Sequence, residues 1–127
     1  MADVNRGNRP LSPHIEIYRP QWTSISSIMV RITGIGCLIA SVLVVAWLLA
    51  AATSEAAFNS VDWFLRSILG QLILIAAMWG IFYHMLGRLR HVIWDFGYLV
   101  KVPVSEDMAK GMFIGATLLT IFVIIAV

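Results

Sequence analysis

The chain has 127 residues, 60% of them hydrophobic and only 13% charged, against about 45–50% apolar in an ordinary soluble domain, and its mean hydropathy of +0.86 marks a bilayer protein. That length allows one domain and leaves too little polar surface for a water-facing enzyme. A formal net charge of +2, with the basic residues at the ends of apolar runs, gives no support to nucleic-acid binding.

Residues 1–22 form a polar leader. Within it, Arg9-Pro10-Leu11-Ser12-Pro13-His14-Ile15-Glu16-Ile17-Tyr18-Arg19-Pro20 carries three prolines, which forbid a continuous helix and favour an extended path along the membrane face. The first apolar run starts too late and runs too long for a signal peptide, and the leader does not read as a transit peptide. His14 is open to two readings, a ligand or a partner-contact histidine, and its polar, Pro-rich setting favours the second.

Three transmembrane helices are expected, over 23–54, 63–96 and 105–127. Their charge-free cores are Ile32 to Ser54, Ser67 to Gly87 and Gly111 to Val127. At about 1.5 Å per residue the first two cover a hydrocarbon layer of roughly 30 Å. The third is shorter, so Met108 to Lys110 should extend it, with Lys110 snorkelling to the interface. A soluble bundle would show a polar stripe on each helix, and these runs are apolar all round.

The first helix opens with Ser27 and, four residues on, Arg31. On a helix the two share a face, which offers a hydroxyl and a guanidinium at the depth of a quinone head group or a propionate. The competing readings are a serine bonded back to the preceding turn and an interfacial arginine anchor. Cys37, the single cysteine, reads as a small packing residue.

The second helix carries the most informative feature, His84 near the end of an uncharged run, because ionisable groups inside a membrane are costly and usually functional. Gly87 stands one turn further on and is expected to clear space for a flat ligand. Gly97 supplies a stop, so the helix can run past its apolar core and place His84, Arg88, His91 and Asp95 on one stripe. The alternative is a histidine satisfied by a neighbouring helix, with Arg88 and Arg90 as simple boundary charges. Asp95 reads as an ion-pair partner or local cap, and Trp79, Tyr83, Trp94 and Tyr98 read as belt and packing aromatics.

Arg6, Arg9, Arg19 and Arg31 precede or open the first helix, and Arg88, Arg90, Lys101 and Lys110 flank the second connection, whereas the first connection holds Glu55 and Asp62 with only Arg66 nearby. The positive-inside rule then predicts a cytoplasmic N-terminus and a periplasmic C-terminus.

Taken together, the Arg9 to His14 motif, Ser27 to Gly34 and His84 to Tyr98 resemble the cytochrome b membrane-anchor subunit of succinate dehydrogenase, the larger anchor of respiratory complex II. The likeness spans essentially the whole chain, and the form of the leader favours a bacterial member in the inner membrane. The resemblance implies an all-α integral membrane subunit. It makes His84 an axial ligand of haem b, with the other axial histidine on a second, smaller anchor subunit. It also implies that Ser27, Ile28 and Arg31 line the ubiquinone pocket, that Arg31 and His91 lie near the haem propionates, and that Asp95 gives polar support beneath the pocket. Many relatives have His immediately before the arginine of the first-helix motif, and Val30 stands there in this chain.

The expected function is to anchor an iron–sulfur subunit and a flavoprotein subunit to the membrane and to help form the site where ubiquinone is reduced. Ser27 would hydrogen-bond a quinone oxygen, and Arg31 would stabilise negative charge developing on it. Succinate oxidation itself would lie elsewhere, since the chain holds no dinucleotide fingerprint and no cysteine cluster. The alternative is a structural or transport-type membrane subunit without a redox cofactor, in which His84 and Arg31 line a solute path. A self-contained dihaem cytochrome would need four membrane histidines, and this chain has three histidines in all.

Overall fold

The computed structural model describes residues 18–127, and among them every regular element is a helix: α1 (Trp22–Thr53), α2 (Glu55–Arg66), α3 (Ile68–Asp95) and α4 (Val102–Ala126). The leader motif from Arg9 to His14, and with it the reading of His14, lies outside the described residues. Helices α1, α3 and α4 have 32, 28 and 25 residues and are apolar enough to cross a membrane. At about 1.5 Å per residue each exceeds the roughly 30 Å hydrocarbon layer.

Each end has a local cause. At the start of α1 the backbone N–H of Gln21 donates to Ser24 Oγ at 3.1 Å, and that hydroxyl donates to Gln21 O at 2.9 Å. The second transmembrane helix begins at Ile68 and not at 63, because Ser67 takes an extended conformation and its hydroxyl accepts the N–H of Gly70 at 3.2 Å. Residues Trp63 to Arg66 belong instead to α2, a short amphipathic helix that the sequence reading passed over. Ser54 caps it by accepting the N–H of Ala57 at 3.2 Å, and Asp62 pairs with Arg66 at 2.6 Å. At the other end of α3, Gly97 at φ +78° donates to Trp94 O at 2.8 Å and Tyr98 donates to Ile93 O at 3.2 Å. This is a Schellman stop with glycine at the left-handed position. The third span starts at Val102, with Pro103 in its first turn, where a missing N–H costs nothing.

Helix α3 is central and packs against both α1 and α4. The interior is small: Val30, Tyr83, Met112 and Ala116 are buried, with Met29, Trp79, Phe82, Leu86 and Phe113 around them. Trp79 stacks on Tyr83 at 5.1 Å, Tyr83 meets Phe113 at 4.8 Å, and Trp79 Nε1 donates to Thr117 Oγ1 at 3.1 Å. Small residues let the backbones approach, with Ala109 and Ala116 fully buried. The outward faces are apolar, with Leu38 68% and Ile125 79% exposed. A water-soluble bundle would invert that distribution, so these faces suit lipid and neighbouring subunits.

Candidate functional site: the His84 face of α1 and α3

His84 projects from α3 onto α1. Its Nδ1 lies 2.9 Å from the carbonyl oxygen of Val30. A carbonyl only accepts, so Nδ1 is the donor in this bond and Nε2 is the nitrogen that it does not engage. The same device orients histidines that ligate metals through the opposite nitrogen. The imidazole fits because residue 34 has no side chain: a Cβ there would stand 2.9 Å from His84 Cε1 and 3.2 Å from Nδ1. The ring is half-buried, held by α1 and open on its remaining side.

The glycine that makes this room is Gly34, and the expected role of Gly87 is corrected. Gly87 is buried and faces Val30 and Met112. A Cβ on it would collide with Val30 Cγ2, so it sets the spacing of α1 and α3 and clears nothing beside His84. The reason is angular: three residues on a helix of 3.6 per turn leave a rotation of about 60°, enough to carry Gly87 into the interface.

Ser27 and Arg31 lie on α1 beside the residues that hold His84. Arg31 is one turn from Gly34, and Ser27 one turn further. Arg31 and Ile28 are exposed, with Ile28 at 57%, and Ser27 is half-buried. The serine bonded back to the preceding turn is Ser26, whose Oγ donates to Thr23 O at 3.1 Å. On α3, Arg88, His91 and Asp95 are exposed along the stripe that begins at His84. His91 Nδ1 lies 2.7 Å from Gly87 O, and its ring meets Trp94 at 5.4 Å. His84 is thus seated on the stretch of α1 that also carries Ser27 and Arg31, and Arg88 and His91 continue its own stripe of α3.

Sequence reasoning missed Arg90. Weighed only as a boundary charge beside Arg88, it is 3% exposed and ties three helices together. One guanidinium nitrogen donates to Ser26 Oγ on α1 at 2.5 Å, and the other to Ser105 O and Oγ on α4, both at 2.8 Å. Its Cζ lies 4.1 Å from the centroid of Trp94, a cation–π contact. The available signal was periodicity, since Arg90 stands seven residues after the core residue Tyr83 and therefore on the same face.

The chain is similar to known membrane subunits. Residues 5–125 match the family described as succinate dehydrogenase/fumarate reductase transmembrane subunit. The succinate dehydrogenase cytochrome b556 subunit of Paracoccus denitrificans is 45% identical over 125 residues, covering 98% of this chain and 96% of that protein. The cytochrome b556 subunit of Rickettsia conorii is 31% identical over 113 residues, covering 89% and 88%. The cytochrome b560 subunit of Chondrus crispus is 29% identical over 118 residues, covering 91% and 93%. With its three apolar spans and a match along nearly its whole length, the chain belongs to the transmembrane-subunit family of succinate dehydrogenase and fumarate reductase.

Proposed function

We propose that this chain is the cytochrome b anchor of a succinate:ubiquinone oxidoreductase in a bacterial inner membrane. In that role it binds haem b jointly with a second anchor subunit and forms part of the ubiquinone-reduction site. The observation that carries the reading is the His84–Val30 bond of 2.9 Å, which engages Nδ1 and leaves Nε2 as the ring nitrogen for a ligand on a half-buried face. Gly34 leaves the room in which the ring makes that bond.

The residues present fit the group. His84 Nε2 would hold the haem iron, and Arg31 and His91 would offer positive charge and N–H donors to its carboxylates. Among the described residues no other histidine could share the group with His84, so a second subunit would supply the remaining ligand. His91 is on the same helix, about 10 Å along it, and points the same way. Haem bound there would act as a one-electron store, its potential tuned by its two histidines and its burial.

The chain's own residues do the rest. Ser27 offers a hydroxyl to a quinone carbonyl, and Arg31 places a fixed positive charge where electron density on that oxygen grows. Ile28 gives an apolar wall, and Asp95 polar support beneath the pocket. An iron–sulfur subunit and a flavoprotein subunit would dock on the side bearing Arg31, Arg88 and Lys101, which the charge asymmetry assigns to the cytoplasm. Visible spectra of the purified complex test the haem assignment. Wild type should show a Soret band and sharp α-band of a low-spin haem, and His84→Ala should lose them; a colourless wild-type complex would leave a cofactor-free anchor instead.

A further inference from the structure

Helix α1 is fastened to α3 by polar contacts at two places. Ser26 Oγ takes a hydrogen bond from Arg90, and Val30 O takes one from His84. Between them Val30 presses on Gly87, where no side chain would fit. The helices run antiparallel, so α1 from 26 to 34 is registered on α3 from 90 back to 84. Each pinned residue is followed in the chain by a residue of the proposed quinone edge: Ser26 by Ser27, and Val30 by Arg31.

We propose that Arg90 is a positioning residue for quinone reduction, holding Ser27 at its depth and angle through Ser26; this rests on the quinone reading above. Neighbouring residues on a helix are about 100° apart, so a modest rotation of α1 swings Ser27 toward lipid or toward the packed interior. The Ser26 contact opposes that rotation. Ser26 is fully buried, and its oxygen is engaged twice, donating to Thr23 O and accepting from Arg90. Arg90 is itself immobilised from the other side by Ser105 and by the Trp94 ring. The planar guanidinium serves α1 and α4 at once from a rigid fork, which a lysine ammonium cannot reproduce. Arg90 makes no contact with substrate in this scheme and acts through Ser26.

The test uses the intact complex and a short-chain ubiquinone analogue. Ser26→Ala should raise the KM for quinone by about fivefold with kcat within about twofold, as expected when a binding group is held less well. Dye-linked succinate oxidation and the visible spectrum should stay as in wild type. Arg90→Lys should fall between wild type and Arg90→Gln in quinone KM. Ser105→Ala separates positioning from simple stability: Arg90 keeps its bonds to Ser105 O and Ser26 Oγ, so loss of the Ser105 hydroxyl should lower the thermal midpoint while leaving quinone KM unchanged. If Arg90→Gln does not assemble, Ser26→Ala decides alone. A normal quinone KM in Ser26→Ala, in a complex where Ser27→Ala is impaired, overturns the positioning role and leaves the quinone edge standing. A quinone KM unaffected by Ser27→Ala would remove the quinone edge and this role with it. Parallel rises in quinone KM and falls in thermal midpoint in Ser105→Ala and Ser26→Ala would reduce Arg90 to a clamp.

Discussion

Gly34 of α1 and His84 of α3 fit each other as socket and ring: a Cβ on the glycine would come within 2.9 Å of the imidazole Cε1. That is inside van der Waals contact, and the ring cannot retreat freely while Nδ1 is bonded to Val30 O at 2.9 Å. Gly34→Ala should therefore displace the imidazole and lower the haem content of the complex, and Gly34→Val should do so more severely. Haem per complex, measured by pyridine haemochrome, checks this. Gly87→Ala is the contrast, because its Cβ would meet Val30 and Met112. Overpacking there should cost about 1–3 kcal/mol of stability, read as a lower thermal midpoint.

The quinone edge makes a separate prediction. Ser27→Ala or Arg31→Leu should cut quinone reduction by roughly thirtyfold, the effect of about 2 kcal/mol per lost polar or charged contact. Succinate oxidation with a soluble dye acceptor should continue nearly unchanged, since it needs neither residue. A matching fall in both assays would assign these residues to assembly.

Ligation by two subunits predicts an incomplete haem site in the isolated chain. Axial histidines approach iron from opposite faces at about 2 Å, and among the described residues His84 and His91 share one stripe of α3. Expressed without the second anchor, the chain should bind haem weakly, as a high-spin or exchange-labile species. A stable, monomeric, low-spin spectrum from this chain alone would contradict ligation across subunits.

Orientation is testable by fusion. A reporter after Val127 should be exposed to the periplasm, and one inserted near Lys101, in the turn between α3 and α4, should be cytoplasmic. A cytoplasmic C-terminus would reverse the assignment and move the proposed docking face to the other side.

The three spans were legible in the sequence because the bilayer imposes one condition on a long stretch of chain: about twenty residues without charge, with every backbone group satisfied internally. The stop at Gly97 was legible for a similar reason, since only a residue free to take positive φ closes a helix in that way. The stripe from His84 to Asp95 followed from the 3.6-residue period once α3 was known to continue past Gly87. The amphipathic α2 was marked only by two capping serines, Ser54 and Ser67, around a stretch of mixed polarity. What the tertiary structure alone decided is which side of each helix meets a neighbour. Gly34 and Gly87 look equivalent in sequence, yet one seats the imidazole and the other spaces two helices. Ser26 and Ser27 are adjacent serines, yet one is fully buried and bonded to Arg90 and the other is half-buried on a neighbouring face. Arg88 and Arg90 look like a pair of boundary charges, yet Arg88 is exposed and Arg90 is buried. Local periodicity fixes positions relative to a helix's own axis, but the rotation of that axis against its neighbours is set by long-range packing, which no single segment encodes.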